Sequence, residues 1–174
     1  TPLMAAARYN PDPEAAAILL RAGANPNSRD SQGWTPLILS AHRKDAKVAL
    51  LLLESGADPN SGNDERWTPL MSAASCNSNP EVAETLVAGG ADIRARDVHG
   101  WTPLMLAARH NPAHAMVGAL LRLGADPNET NSGDGATPLI YAAAGNAPPG
   151  VAKLLLDAGA LVDAKDAVGT TALT

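Results

Sequence analysis

The sequence predicts an all-α solenoid: stacked helix-turn-helix units with projecting loops. Two markers that keep the same beat carry this prediction. Thr-Pro-Leu begins at Thr1, Thr35, Thr68, Thr102 and Thr137, with a degenerate Thr-Ala-Leu from Thr171, so the leading threonines are 34, 33, 34, 35 and 34 residues apart. Gly-Ala followed by Asn or Asp begins at Gly23, Gly56, Gly90 and Gly124, and Gly159 with Ala160 and Leu161 closes the series. The chain therefore reads as one domain over 1–174, made of five units and part of a sixth. Units stacked on their neighbours build an extended surface rather than one deep cleft.

Each unit opens on a helix start. The Thr hydroxyl can accept from an orphan backbone N–H, and Pro at the first helical position gives up no hydrogen bond. This first helix is short and is expected to stop near Asn10, Asn77, Asn111 and Asn146, since Asn tolerates the left-handed conformation. A second helix restarts beside Pro13, Pro80 and Pro149, with its apolar face at residues 18–20, 50–53, 86–87, 120–121 and 154–156. Glycines 23, 56, 90, 124 and 159 should cap it. The polar stretch that follows reads as an extended loop turning at residues 30–33, 97–100 and 166–169.

Composition narrows the function classes. The chain has no Phe, two Tyr and three Trp, so its core must come from Leu, Ala, Val, Ile and Met in thin layers. A formal charge of −5 argues against a general nucleic-acid binder. The single Cys76 excludes an intrachain disulfide and fits a cytoplasmic or other reducing compartment. No apolar run approaches the roughly 18 residues of a membrane span, and no signal-peptide pattern is visible. Because the chain opens inside a unit, secretion stays open.

Chemical motifs are sparse. No phosphate-cradling glycine loop, Gly-x-Ser-x-Gly, His-Glu-x-x-His or Cys-x-x-Cys occurs. His110 and His114 have the spacing of helical metal ligands, yet Pro112 lies between them in an expected turn and two further ligands are lacking. Cys76 has His99 far along the chain and reads as a bystander thiol. The triplet from Asn128 to Thr130 matches a glycosylation acceptor, a pattern common by chance. No catalytic group, cofactor or metal is expected.

The 33-residue beat, Thr-Pro-Leu, Leu-Leu-x-x-Gly-Ala-Asp and Asp-x-x-Gly together resemble the ankyrin repeat over essentially the whole chain. The resemblance implies L-shaped units of two antiparallel helices and a hairpin-like finger, in a curved solenoid that binds proteins through finger tips and the concave face of the first helices. The chain departs from the family in three ways. Met4, Ile38, Met71, Met105 and Ile140 replace the usual His, so apolar contact replaces its bridge. Four of the five helix-helix turns carry an extra residue, with Asn for the usual Gly. Arg66 replaces a finger glycine, and the finger before unit five is one residue longer; both are expected to turn in nonstandard ways.

Trp34, Trp67 and Trp101 each precede a Thr-Pro-Leu at a finger base, and stacking should align them in a ladder with rungs about 8–10 Å apart. They read equally well as stiffeners of the stack and as binding hot spots. Ala136 and Thr170 take their place later, so an aromatic stripe is expected to end before unit five. Positions that line the family's groove correspond to Arg8, Tyr9, His42, Arg43, Ser75, Cys76, Arg109, His110, Ala144 and Gly145. The fingers add Arg29, Gln32, Asp64, Glu65, Arg96 and His99. Five arginines thus face one side of an acidic protein, as solvated charge or as receptors for carboxylates.

The function expected from these observations is a non-enzymatic scaffold or adaptor for a protein or peptide, with acidic groups on the partner. Two other readings remain: an array that recruits substrate for a larger enzyme, and a solenoid that self-assembles through uncapped ends instead of staying monomeric.

Overall fold

Every first helix begins as its Thr-Pro pair dictates. In the computed structural model, which describes residues 1–111, 113–145 and 147–173, these helices are α1 (Pro2–Tyr9), α3 (Pro36–Ser40), α5 (Pro69–Cys76), α7 (Pro103–His110) and α9 (Pro138–Ala144). Each leading Thr accepts the backbone N–H three residues on at 3.3–3.4 Å. The second helices are α2 (Pro13–Arg21), α4 (Lys47–Glu54), α6 (Pro80–Ala88), α8 (His114–Arg122) and α10 (Pro149–Asp157). No strand occurs among the described residues.

The second helices end as the glycine spacing predicts. At Gly90, φ is +96°, a region that costs a residue with a Cβ. Its N–H donates to the Val87 carbonyl and that of Ala91 to Leu86, the paired bonds of a Schellman cap. The same pair closes α2, α4, α8 and α10.

First helices pack on first helices and second on second, giving two layers. The Thr-Pro-Leu leucines Leu3, Leu37, Leu70, Leu104 and Leu139 are at most 3% exposed, and Leu52, Leu86, Leu120 and Leu155 face them from the second layer. Ala7, Ala41, Ala74 and Ala108 lie between them, fully buried, and let the helices approach closely. Met4, Ile38, Met71, Met105 and Ile140 are buried, so apolar contact does occupy the place of the family's histidine. Ile18, Leu50 and Leu156, expected on the apolar face, turn outward, because each flanks the residue that enters the core.

Asparagine does more in the helix-helix turn than stop a helix. Asn10, Asn77 and Asn111 are extended, with φ between −78° and −86°, rather than left-handed as expected. The reason is the side chain. Asn111 Nδ2 donates to the carbonyls of Ala74 and Asn77, both at 2.8 Å, while its Oδ1 accepts from Ala113. Asn77 binds Ala41 and Arg43 in the same way. Both are 2% exposed, so these amides fasten units three and four to the units before them. Asn146 and Pro112 lie outside the described residues.

A second row of amides runs along the loops. Asn27 bridges Gly56 and Asp58, Asn60 bridges Gly90 and Asp92, and Asn128 bridges Gly159 and Leu161, each with one donated and one accepted bond of 2.7–2.9 Å. The Asn128 amide is therefore engaged and not presented as a glycan acceptor. Arg94 occupies the remaining place in this row and makes no such bridge.

Candidate functional site

The fingers are built by one carboxylate or amide each. Asp30 Oδ1 accepts the N–H of Gln32 and Trp34, Asn63 those of Glu65 and Trp67, and Asp97 those of His99 and Trp101, at 2.9–3.0 Å. This fixes each tryptophan backbone at a finger base. Adjacent fingers are joined by Asp64 N–H to Gln32 O, Val98 N–H to Glu65 O and Ala167 N–H to Asp134 O. The Arg66 finger keeps the ordinary turn, against expectation: Arg66 takes φ +60° and donates to the Asn63 carbonyl as a glycine would. The longer finger does differ, because Gly135 N–H reaches back four residues to Asn131.

The three tryptophans are half-buried and none stacks on another among the described residues. Trp67 is tied to the first helix that follows it by Nε1 donating to Ser72 Oγ at 2.9 Å. Trp101 instead stacks on Tyr141, with centroids 4.2 Å apart and planes at 29°. The aromatic packing therefore runs on into unit five, but as core: Tyr141 is 3% exposed. Ala136 leaves space at the finger base, and Tyr141, in the register of Ala5, Leu39, Ser72 and Leu106, fills it from α9. Its hydroxyl donates to Asp134 at 2.7 Å. Burial and then this carboxylate push the tyrosine well above its usual range. Tyr141 and Asp134 were missed by reading units one at a time; the coincidence of a lost Trp and a gained Tyr was the available signal.

The five arginines expected on one face divide into two groups by what they bond. Arg29 donates to the Gly62 carbonyl at 2.8 Å and pairs with Asp64 at 3.5 Å. Arg43 binds the carbonyls of Asn10 and Pro11 and the Asp45 carboxylate, and its side chain is 10% exposed. Arg96 binds Gly100, Thr130 and Glu129 at 2.7–3.0 Å. All three are staples between loops, because an exposed backbone carbonyl one unit away is the nearest acceptor a long fork can reach. Arg8 and Arg109 are different. Arg8 lies 5.3 Å over Tyr9, which is 72% exposed, and Arg109 lies 5.4 Å over Trp101 and 5.5 Å over Tyr141.

Two clefts open on the finger side. One of about 420 Å³ is lined by Glu65, Trp67, Ser75, Asp97, His99, Trp101, Leu106, Arg109 and His110. The other, about 290 Å³, includes Met4, Arg8, Tyr9, Gln32, Trp34 and Leu39. His110 packs 6.1 Å from Trp101, where burial and then the Arg109 charge lower its basicity. Asp64, Glu65, Gln32 and His99 are exposed on the fingers.

Cys76 meets His42, not His99: Nδ1 and Sγ are 3.1 Å apart, and Sγ donates to the Ser72 carbonyl at 3.2 Å. Burial raises the thiol, while burial and the Arg8 charge lower the imidazole, so at neutral pH the pair is uncharged. An activated thiolate needs the opposite shifts. Among the described residues no group of three His, Cys, Asp or Glu is placed to hold a metal, and no helix is long and apolar enough to cross a membrane.

Comparison with known proteins completes the assignment. No curated protein matches the chain. A family model described as ankyrin repeats matches in three copies, over residues 3–97, 50–131 and 104–174. With paired helices, Thr-Pro caps and linked fingers in every unit, the chain belongs to the ankyrin-repeat family.

Proposed function

We propose that this chain is a non-enzymatic scaffold or adaptor that holds a protein or peptide across the fingers and the ends of the first helices. Ankyrin repeats are generally protein-interaction modules, and the finger-side face has the means to be one. The observation that carries the reading is the cleft of about 420 Å³ where Arg109 rests on the Trp101–Tyr141 stack beside Trp67. Rigid aromatics with an open guanidinium are the groups most enriched where binding energy concentrates. The neutral thiol–imidazole pair supports an interaction role over nucleophilic chemistry. A partner bearing acidic groups suits the two arginines that make no hydrogen bond or ion pair among the described residues, and the lone cysteine suits a reducing compartment.

Affinity capture from a lysate, followed by titration of the recovered partner against Trp67→Ala, tests the reading. Loss of about 2 kcal/mol of binding is expected if Trp67 is a hot spot. Unchanged affinity with a lowered melting temperature would make the tryptophan a stiffener only.

A further inference from the structure

The position seven residues past each leading threonine reads Arg8, His42, Ser75, Arg109 and Ala144 across the five units. Fixed positive charge therefore stands at units one and four with an uncharged gap between, since His42 is held in its neutral form by burial and by Arg8. Of the five arginines expected on this face, Arg8 and Arg109 alone make no hydrogen bond or ion pair among the described residues. Each is propped on an aromatic ring instead. A guanidinium lying on a ring keeps its in-plane N–H donors open, and that fork matches a carboxylate in bidentate fashion.

We propose that the partner segment is an extended peptide carrying two carboxylates, one seated on Arg8 and one on Arg109, with an uncharged stretch between them; this rests on the protein-binding reading above. Three unit steps of about 8–10 Å separate the two forks by about 24–30 Å. An extended chain at about 3.3 Å per residue covers that in about seven to nine residues. A closer pair meets one fork at a time, whereas the spaced pair makes its second contact intramolecularly. Glu65, exposed on the wall of the Arg109 cleft, selects against a further acid inside the gap.

Fluorescence anisotropy with short synthetic Gly/Ser/Ala peptides tests this directly. A peptide with two glutamates about eight residues apart is expected to bind about tenfold tighter than one with the pair about four apart. Arg8→Gln and Arg109→Gln should each erase that advantage, and Arg109→Lys should keep part of it, with circular dichroism showing the fold retained. Equal binding at both spacings, or an advantage that survives Arg8→Gln, overturns the proposal, as does a single-stranded oligonucleotide that binds as tightly as the spaced peptide. Selection from a displayed library of random peptides separates the two levels of inference. Enriched peptides that need Trp67 but carry no spaced acid pair overturn the spacing and leave protein binding standing; if no enriched peptide depends on Trp67 or the two arginines, both fail.

Discussion

Arg66 binds the carbonyl of Arg96 with Nε at 3.2 Å and Nη2 at 2.8 Å, the place in the next unit that Arg29 reaches one unit earlier at Gly62. The second finger has exchanged its residues: Gly62 stands where the arginine belongs, and Arg66 where the turn glycine belongs. Each requires the other. A Cβ on Gly62 would meet the Arg66 backbone at 2.8 Å, so a side chain at 62 needs the turn at 66 to shift toward the shape its sibling fingers take with glycine.

Gly62→Arg alone should therefore cost about 1–3 kcal/mol through overpacking. The double variant Gly62→Arg/Arg66→Gly restores the arrangement of the first finger and should recover most of that loss. Urea melts of the cycle should give a coupling above about 1 kcal/mol; simple additivity would show that the exchange is not a linked pair.

The fastening amides should matter about as much as the core. Leu70 is fully buried, and Leu70→Ala should cost about 2–5 kcal/mol. Asn111→Ala leaves the Ala74 and Asn77 carbonyls buried without their donor and should cost about 1–3 kcal/mol. Asn111→Gly, although closer to the family pattern, should be no better. A Gly variant as stable as the parent in thermal melts would show that backbone shape, not the amide, is what this turn needs.

Charge reversal should separate staples from receptors. Arg43→Glu loses three hydrogen bonds at a side chain that is 10% exposed and sets a carboxylate against carbonyl oxygens, so it should cost about 2–3 kcal/mol. Arg43 Nε is buried without a partner among the described residues, so its removal offsets part of that loss. Arg109→Glu removes only a ring contact worth about 0.5–1 kcal/mol. Equal melting temperatures for the two variants would refute the division.

Stability should fall on both sides of neutral pH. His42 and His110 titrate below the ordinary histidine value when folded, so the unfolded chain takes up protons first as pH drops through about 6.5. Their contribution is present above that value and is lost below it. Tyr141 titrates above the ordinary tyrosine value, so its contribution is present below about pH 10 and is lost as pH rises beyond it. His42→Gln with His110→Gln should flatten the melting temperature between about pH 7 and 5.5, and Tyr141→Phe should flatten the alkaline limb. Slopes unchanged in these variants would assign the pH dependence to other groups.

What was legible in the sequence is what each unit does by itself. Thr1 caps its own helix, Gly90 ends its own helix and Leu70 sits at the middle of its own apolar face, so one period suffices to read them. The remainder lives between units. The Asn111 amide reaches 37 residues back to Ala74, Arg43 reaches 33 back to Asn10, and Cys76 finds His42 rather than His99. A residue type fixes what such a side chain can bond; only the stacking decides which neighbour arrives. Aligning the units by register puts 42 against 75, next to 76, and 109 against 144, one helical turn from 141, and the site is best read in that second dimension.

The row of loop amides skips one junction, at Arg94. Asn27 and Asn60 tie units one to three, Asn128 ties four to five, and the amide of Asp126 is left without the bond that Asp58 and Asp92 receive. The same junction is held by the Asn111 amide, by the Arg96 fork and by the packing of α5 on α7, so the missing rung loosens the loop row alone. Hydrogen exchange should then be faster at Asp126 than at its two counterparts. The cleft between Trp67 and Trp101 straddles this junction, so whatever occupies it grips the units on both sides and acts as a splint across the step that the loop amides skip.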